Sequence, residues 1–145
     1  MSAVSFSYAD RQLRYPNKRA LKAFIPSIFS GEHKALKSLH YIFCSDDYLL
    51  QINQQFLQHD YFTDIITFDL SVSEQVTGEV YISLDRVKDN ASKLAISFED
   101  ELLRVIFHGA LHLCGYKDKK KSEISNMRNQ ESVYIRLYKQ SAASL

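Results

Sequence analysis

The chain has 145 residues, of which 46% are hydrophobic and 24% charged, and its formal net charge is +1 at pH 7. This length and composition are typical of one globular domain over residues 1–145 and exclude a low-complexity or repeat protein. No apolar run approaches the roughly 18 residues of a membrane span, and residues 1–15 lack the basic and apolar blocks of a secretory signal, so we expect a cytoplasmic protein.

Two strands and two helices are predicted in the first part of the chain. Residues 3–8 alternate apolar and polar side chains like a half-buried strand, and residues 17–30 have a helical period that Pro26 is expected to shorten or bend. The aromatic and β-branched run at 39–44 predicts a second strand. A helix is expected to begin at Ser45, because a serine caps free N–H groups and the two aspartates that follow favour a first turn.

The middle of the chain predicts a hairpin and two more helices. Residues 64–70 and 78–84 have the composition of strands, and the polar segment between them suits a hairpin connection. Residues 85–95 predict a helix. Ser97 stands three residues before an acid, as at a capped helix start, and Gly115 is well placed to end the helix that follows.

The last predicted element is an amphipathic helix over residues 121–139. Its apolar residues are Ile124, Met127, Val133, Ile135 and Leu137. Because the strands are grouped mainly in the first half and the helices concentrate later, we expect an α+β fold rather than regular βαβ winding. The sheet should be small and mixed, and packed with several helices.

A pair of histidines, His108 and His112, lies on the helix that precedes Gly115. Residues four apart point to the same side of an α-helix, so both imidazoles can reach one ion. Gly115 allows a sharp turn that brings Asp118 back toward that ion. Two imidazoles and one carboxylate leave a fourth tetrahedral position for water, as a catalytic zinc site needs. We therefore predict one Zn²⁺ per chain, held by a central helix and the following turn.

Other readings of this helix are weaker. Two surface histidines and a chance aspartate are the alternative to a metal site. Protease chemistry is not expected, because Gly109 stands where the H-E-x-x-H helix carries its general base. Cys44 and Cys114 are too few for a disulfide framework and are expected to be buried thiols. Cys114 also falls on the wrong side of the helix to join His108.

Three segments resemble the YbeY family of bacterial metal-dependent endoribonucleases. "HGALHLCGYKD" at 108–118 resembles H-G-x-L-H-L-x-G-Y-D-H, and "GEVYIS" at 78–83 resembles G-D-I-x-I-S. Residues 53–68 resemble N-x-x-Y-R-x-x-D-x-P-T-D-V-L-S-F. The matches in that segment are Asn53, Asp60, Thr63, Asp64 and Phe68, and further along the chain Met127 and Glu131 also fit. Two departures from the pattern matter: Asp118 and Lys117 align with the family's third histidine and its preceding aspartate, and Leu57 aligns with an arginine.

The resemblance implies a single-strand-preferring endoribonuclease that acts in ribosomal RNA maturation and ribosome quality control. RNA is then the expected partner, as ribosomal RNA or ribosomal particles, and no membrane is involved. No side-chain base is assigned, and a metal-bound water is the proposed nucleophile or proton acceptor. The candidate RNA contacts, one helical arginine and a basic cluster after the metal helix, are Arg104, Lys117, Lys119, Lys120 and Lys121.

The same residues allow other interpretations of Arg104 and of the whole chain. Arg104 is as well explained by an ion pair with a nearby acid such as Asp100. The whole chain could instead be a metallohydrolase of another substrate, or a ribosome-assembly factor in which the metal stabilises the structure without catalysis. Leu57 favours these alternatives, because the arginine that it replaces is a natural phosphate ligand.

Overall fold

Strands and helices follow the predicted order along the chain. A computed structural model describes residues 3–143. Its elements are β1 (Val4–Tyr8), α1 (Lys18–Gly31), β2 (Leu36–Cys44), α2 (Asp46–Leu57), β3 (Ile65–Asp69), β4 (Val76–Ser83), α3 (Leu84–Leu94), α4 (Phe98–Leu113) and α5 (Lys121–Ala143). Among these helices none combines the length and apolarity that crossing a membrane requires.

The four strands form one mixed sheet in the order β1-β2-β4-β3. β1, β2 and β4 are parallel, and β3 runs antiparallel to β4, with Ile65 opposite Ile82 and Asp69 opposite Gly78. The predicted α+β class and the predicted hairpin are therefore confirmed. One βαβ unit, β1-α1-β2, is present within this fold, because parallel neighbours need a crossover connection.

Helix ends agree with the capping signals in the sequence. The Ser45 hydroxyl accepts a hydrogen bond from the Tyr48 N–H, and the Ser97 hydroxyl accepts one from the Asp100 N–H, each at 3.1 Å. α4 stops just before Gly115, whose φ is 105°. Pro26 does not shorten α1, which continues to Gly31. The buried face of α1 holds the helix in place although the proline lacks an N–H group.

Helix α5 buries only part of the predicted apolar set. Ile124 and Leu137 are 42% and 43% exposed, so their assignment to the apolar face was wrong. The buried face carries Met127, Tyr134 and Tyr138, which recur at helical spacing. Tyrosine rings supply apolar surface while their hydroxyl groups find polar partners, and a purely apolar count of the sequence overlooks them.

Helix α4 is the central helix of the molecule. It packs against the sheet and against α1, α3 and α5, and most of its residues are buried. The Tyr41 hydroxyl, projecting from β2, donates a hydrogen bond to the Ile106 carbonyl at 2.8 Å. Both ends of this contact are buried, so α4 is anchored on the sheet midway along its length. The two cysteines are buried free thiols, as predicted, and burial raises the pKa of each to about 12.

Candidate metal centre

The three predicted ligands meet at one point. The Asp118 Oδ2 lies 3.2 Å from the Nε2 of His108 and 3.2 Å from the Nε2 of His112. The two imidazole rings meet edge to face, with centroids 4.6 Å apart. Donor atoms bound tetrahedrally at ~2.0–2.2 Å from a zinc ion lie ~3.3–3.6 Å from one another. The two aspartate–histidine spacings therefore fit a divalent ion, and all three donor atoms lie within 4.8 Å of one another.

Hydrogen bonds at the far side of each imidazole prepare both rings for an ion. The His108 Nδ1 lies 2.6 Å from the Oε2 of Glu131, and the His112 Nδ1 lies 2.9 Å from the Tyr116 carbonyl oxygen. Both partners are acceptors, so the proton of each neutral ring belongs on Nδ1. The lone pair of each Nε2 is then directed toward Asp118, which is the arrangement that metal-binding histidines use.

The turn after α4 brings Asp118 back to the histidines. Gly115 has a φ of 105°, a backbone conformation that side-chain-bearing residues rarely adopt. The Tyr116 N–H donates to the Leu111 carbonyl at 3.0 Å, which closes the turn against the last part of the helix. The chain direction reverses within these few residues, as the glycine in the sequence predicted.

A single carboxylate ties this turn to two other helices. Glu32, at the end of α1, accepts hydrogen bonds from the hydroxyl groups of Tyr116 and Tyr134 at 2.8 and 2.5 Å and from the Gln130 amide at 3.0 Å. Burial would raise the pKa of Glu32, but the three donors outweigh it and hold the pKa below its ordinary value. The same carboxylate and burial raise the pKa of Tyr116 to about 12. We call these four residues the Glu32 clasp.

A buried charge network lies behind His108. The side chains of Glu101 and Glu131 are almost wholly buried, and Arg104 pairs with both of them. Arg128 donates to the second oxygen of Glu131 at 3.1 Å. The ion pair between Arg104 and a nearby acid, which was the alternative interpretation, is observed. The acid is Glu101 and not Asp100. The two carboxylates, with Asp64, keep the pKa of Arg104 above its ordinary value despite burial.

The candidate metal centre opens into a cavity of about 750 Å³. Arg104 and Lys119, two of the five predicted RNA contacts, line it. Lys117, Lys120 and Lys121 are exposed but do not line this cavity. Other lining residues come from α2, β3 and the connection between them, and include Leu57, His59, Tyr61, Asp64 and Thr67.

Two candidate functional residues in this cavity were not proposed from the sequence. Asp64 is a lining carboxyl group whose pKa is raised by burial, which outweighs the lowering effect of the Arg104 charge. Its only signal was a place in the family-like segment 53–68. Arg128 also lines the cavity, and its spacing from Glu131 on α5 was the only pattern that could have drawn attention to it.

Gly109 has a packing role next to the metal ligands. A Cβ atom at this position would lie 3.0 Å from the Cγ1 of Val80 and 3.1 Å from the Cδ1 of Ile65. α4 therefore approaches β3 and β4 closely, and a side chain at this position would require Val80 or Ile65 to shift.

Comparisons with known proteins agree in pointing to one family. The profile of the family described as Endoribonuclease YbeY matches residues 7–139. A relative of that name from Cytophaga hutchinsonii is 45% identical over 137 residues, covering 94% of this chain and 96% of the relative. A second, from Porphyromonas gingivalis, is 42% identical over 144 residues, covering 99% and 95%. The solution structure of a Thermotoga maritima protein matches with a TM-score of 0.67 at 28% identity, covering 97% and 92%.

Proposed function

The chain belongs to the YbeY family of endoribonucleases, and from this premise we propose that it cleaves single-stranded ribosomal RNA during ribosome maturation and quality control, using one zinc ion. As a member of that family it is an enzyme of the hydrolase class. The observation that carries the zinc proposal is the convergence of three donor atoms, from His108, His112 and Asp118, within 4.8 Å of one another.

Some residues would hold the ion and others would orient its ligands. His108, His112 and Asp118 hold the ion, while Glu131 and the Tyr116 carbonyl keep both imidazoles in the metal-binding tautomer. When bound, such an ion acts as a Lewis acid toward a phosphoryl oxygen and lowers the pKa of water. The cavity has room for a nucleotide-sized ligand beside these side chains.

Positive side chains around the cavity support RNA as the substrate. Lys119 and Arg128 line the cavity, and we propose them as phosphate contacts. Lys117, Lys120 and Lys121 extend the positive surface beyond the cavity, where the flanking backbone of a bound strand would pass. Arg104 is already paired with two buried carboxylates, so we assign it mainly to positioning Glu131, with phosphate contact as a secondary role.

Leu57 supports a second candidate function. It lines the cavity at the position where the family pattern has an arginine, and it removes one guanidinium group that could stabilise developing negative charge. A ribosome-assembly factor that binds RNA without cleaving it would tolerate this change. Cleavage therefore has to be tested separately from binding.

The decisive experiment is an RNA cleavage assay with metal-loaded wild type, His112→Ala and the control His33→Asn, which alters an exposed histidine that does not line the cavity. We expect wild type and control to cleave ribosomal RNA equally. Loss of a direct ligand should reduce the rate by more than the ~10- to 100-fold typical of outer-shell changes. Elemental analysis of the purified protein identifies the metal.

Three results would contradict the proposal. Equal cleavage by wild type and His112→Ala would attribute the activity to a contaminating nuclease. Tight binding of RNA by metal-loaded wild type without any turnover would favour the assembly-factor function instead. Cleavage of a peptide in place of RNA would indicate a metallohydrolase of another substrate.

A further inference from the structure

The end of α2 and its connection to β3 expose aromatic rings beside the candidate metal centre. We call residues 56–62, which include the last two residues of α2, the aromatic loop. Phe56, Tyr61 and Phe62 are 64%, 56% and 50% exposed, and across residues 3–143 no other large aromatic side chain is exposed to this degree. Clustered exposed apolar surface is uncommon without a binding role, because leaving it in water costs free energy.

The aromatic loop is held in place although its rings are exposed. The Asn53 side chain is buried and donates to the Tyr61 carbonyl at 2.9 Å. The Asn53 carbonyl accepts from the His59 N–H at 3.1 Å, and the Gln54 amide donates to Asp60 at 2.6 Å. The last turn of α2 thus anchors the loop at three points, which reduces the entropy that a ligand would lose on binding it.

Two of these side chains form an ordered pair that faces the cavity. The rings of His59 and Tyr61 are stacked, with centroids 5.1 Å apart and planes 22° apart, and the Tyr61 hydroxyl is 2.9 Å from the His59 Nδ1. Both residues line the cavity that contains the metal ligands. Phe62 does not line it and lies beside the Arg86 guanidinium, 5.6 Å from ring centroid to Cζ.

The cavity therefore offers two different surfaces to one ligand. Lys119 and Arg128 contribute positive charge, and the three candidate metal ligands line the same cavity. His59 and Tyr61 contribute flat aromatic surface. A ligand that carries negative charge along its backbone and planar rings as side groups matches both, and single-stranded nucleic acid has this composition.

We propose that His59 and Tyr61 form a stacking platform for an unpaired nucleobase adjacent to the phosphate bound at the metal centre. The platform rests on the proposed RNA substrate and adds a reason for single-strand preference. In a duplex each base is already stacked on its neighbours and its face is not available to Tyr61. An unpaired base can leave its neighbours and stack on the protein instead.

The test measures stacking directly in the metal-loaded full-length chain. The probe is a 2′-deoxy single strand of roughly ten nucleotides, which an endoribonuclease should leave intact, with 2-aminopurine at successive positions. The fluorescence of this base falls when it stacks. We expect wild type to quench it at one position, and Tyr61→Leu to abolish the quenching and weaken affinity by ~5- to 150-fold.

Two further variants separate stacking from other effects. Tyr61→Phe keeps the ring and should retain quenching and affinity. Phe62→Leu removes an equally exposed ring that does not line the cavity, and it should bind as wild type does. Replacing the quenched base by an abasic residue should weaken binding to wild type but not to Tyr61→Leu. Thermal melting of each variant confirms that it is folded.

The outcomes distinguish this proposal from the proposed function. If wild type cleaves ribosomal RNA but Tyr61→Leu binds and quenches normally, the stacking platform is wrong and the endoribonuclease function stands. Equal losses in Tyr61→Leu and Phe62→Leu would overturn a specific platform in favour of a general apolar patch. If Tyr61→Leu binds the single strand as wild type does but no longer binds purified ribosomal particles, the loop is a protein-docking surface. If wild type neither binds nor cleaves RNA, both proposals fail.

Discussion

Each histidine of the metal centre presents its Nε2 atom because its Nδ1 atom is already bonded. For His108 the partner is Glu131, a buried carboxylate that also pairs with Arg104 and Arg128. A charged acceptor strengthens the hydrogen bond and makes the imidazole a better metal ligand. At the Nδ1 atom of His112 the partner is the uncharged backbone carbonyl of Tyr116, so the two candidate ligands are not equivalent.

Replacing the Glu131 carboxylate should therefore weaken metal binding although Glu131 is not a ligand. We expect Glu131→Gln to lower zinc affinity by about 10- to 100-fold, because the neutral amide is a poorer acceptor for the Nδ1 proton. Competition with a chromogenic chelator measures the affinity. Glu99→Gln, which changes an exposed carboxylate in the first turn of α4, is the control and should have no effect. Equal affinities for Glu131→Gln and wild type would remove this role.

Asp118 can be tested as a ligand through its departure from the family pattern. Asp118→Ala removes one of three donors and should reduce zinc affinity more strongly than a change at Glu131 does. Asp118→His introduces the histidine that the YbeY pattern has at this position, and it should restore stoichiometric zinc binding. Metal content after dialysis against a chelator provides the measurement. If Asp118→Ala keeps its zinc, Asp118 is not a ligand.

At the scale of the elements, the site depends on how closely α4 packs on the sheet. At Gly109 a methyl group would press on Val80, which belongs to a central strand and is fully buried. Elsewhere in a helix, replacing glycine by alanine gains about 1 kcal/mol in helix propensity. Here the overpacking should cost ~1–3 kcal/mol and outweigh that gain.

We accordingly expect Gly109→Ala to unfold at a lower temperature than wild type, with a net loss of about 1 kcal/mol. Ser92→Ala on the exposed side of α3 is the matched control, because it gains helix propensity without a packing conflict. Thermal unfolding followed by circular dichroism compares the three proteins. A Gly109→Ala variant more stable than wild type would show that the contact with β4 is not tight.

The Glu32 clasp joins α1, the metal turn and α5, and its contribution should depend on pH. The folded-state pKa of Glu32 lies below its ordinary value, so its stabilisation is present above the unfolded pKa and is lost as the pH falls through the folded pKa. We expect Glu32→Gln to be less stable than wild type by about 1.5–3 kcal/mol near neutral pH. The difference should shrink in acid, as urea denaturation across pH can measure. A difference independent of pH would contradict the sign of this shift.

At the scale of the whole molecule, a net charge of +1 conceals an uneven distribution. Lys119, Lys120 and Lys121 follow Asp118 directly. A second basic cluster, at 11–19, lies near the start of the chain and does not line the cavity. If RNA lies across the metal centre, the first cluster contacts phosphates and the second does not. Binding measured as a function of salt separates the two.

Substituting the three lysines by glutamine should lower RNA affinity and make it less sensitive to salt. Each lost phosphate contact reduces the slope of log affinity against log salt by ~0.7 for a single strand. The control is the double variant Arg14→Gln and Arg19→Gln, two exposed residues of the other cluster, which should leave the slope unchanged. Salt-independent binding by wild type would exclude electrostatic contacts as the source of affinity.

Features encoded by neighbouring residues were predictable from the sequence. Helix starts at Ser45 and Ser97, the turn at Gly115 and the pairing of His108 with His112 all depend on groups a few residues apart. Local hydrogen bonding and the helical period determine such features before any packing occurs. For the same reason the metal centre, which spans a helix and the next turn, was accessible as a hypothesis from residue spacing alone.

Contacts between distant segments were decided by the tertiary structure alone. Glu131 reaches His108 from 23 positions along the chain, and Glu32 reaches Tyr116 from 84. The sequence did not indicate that the aromatic loop would open into the metal cavity, because that depends on α2 and β3 packing beside α4. The sequence by itself therefore determined the strands, the caps and the candidate ligands. Packing of the helices on the sheet determined which carboxylates reach the candidate ligands and which rings line the cavity.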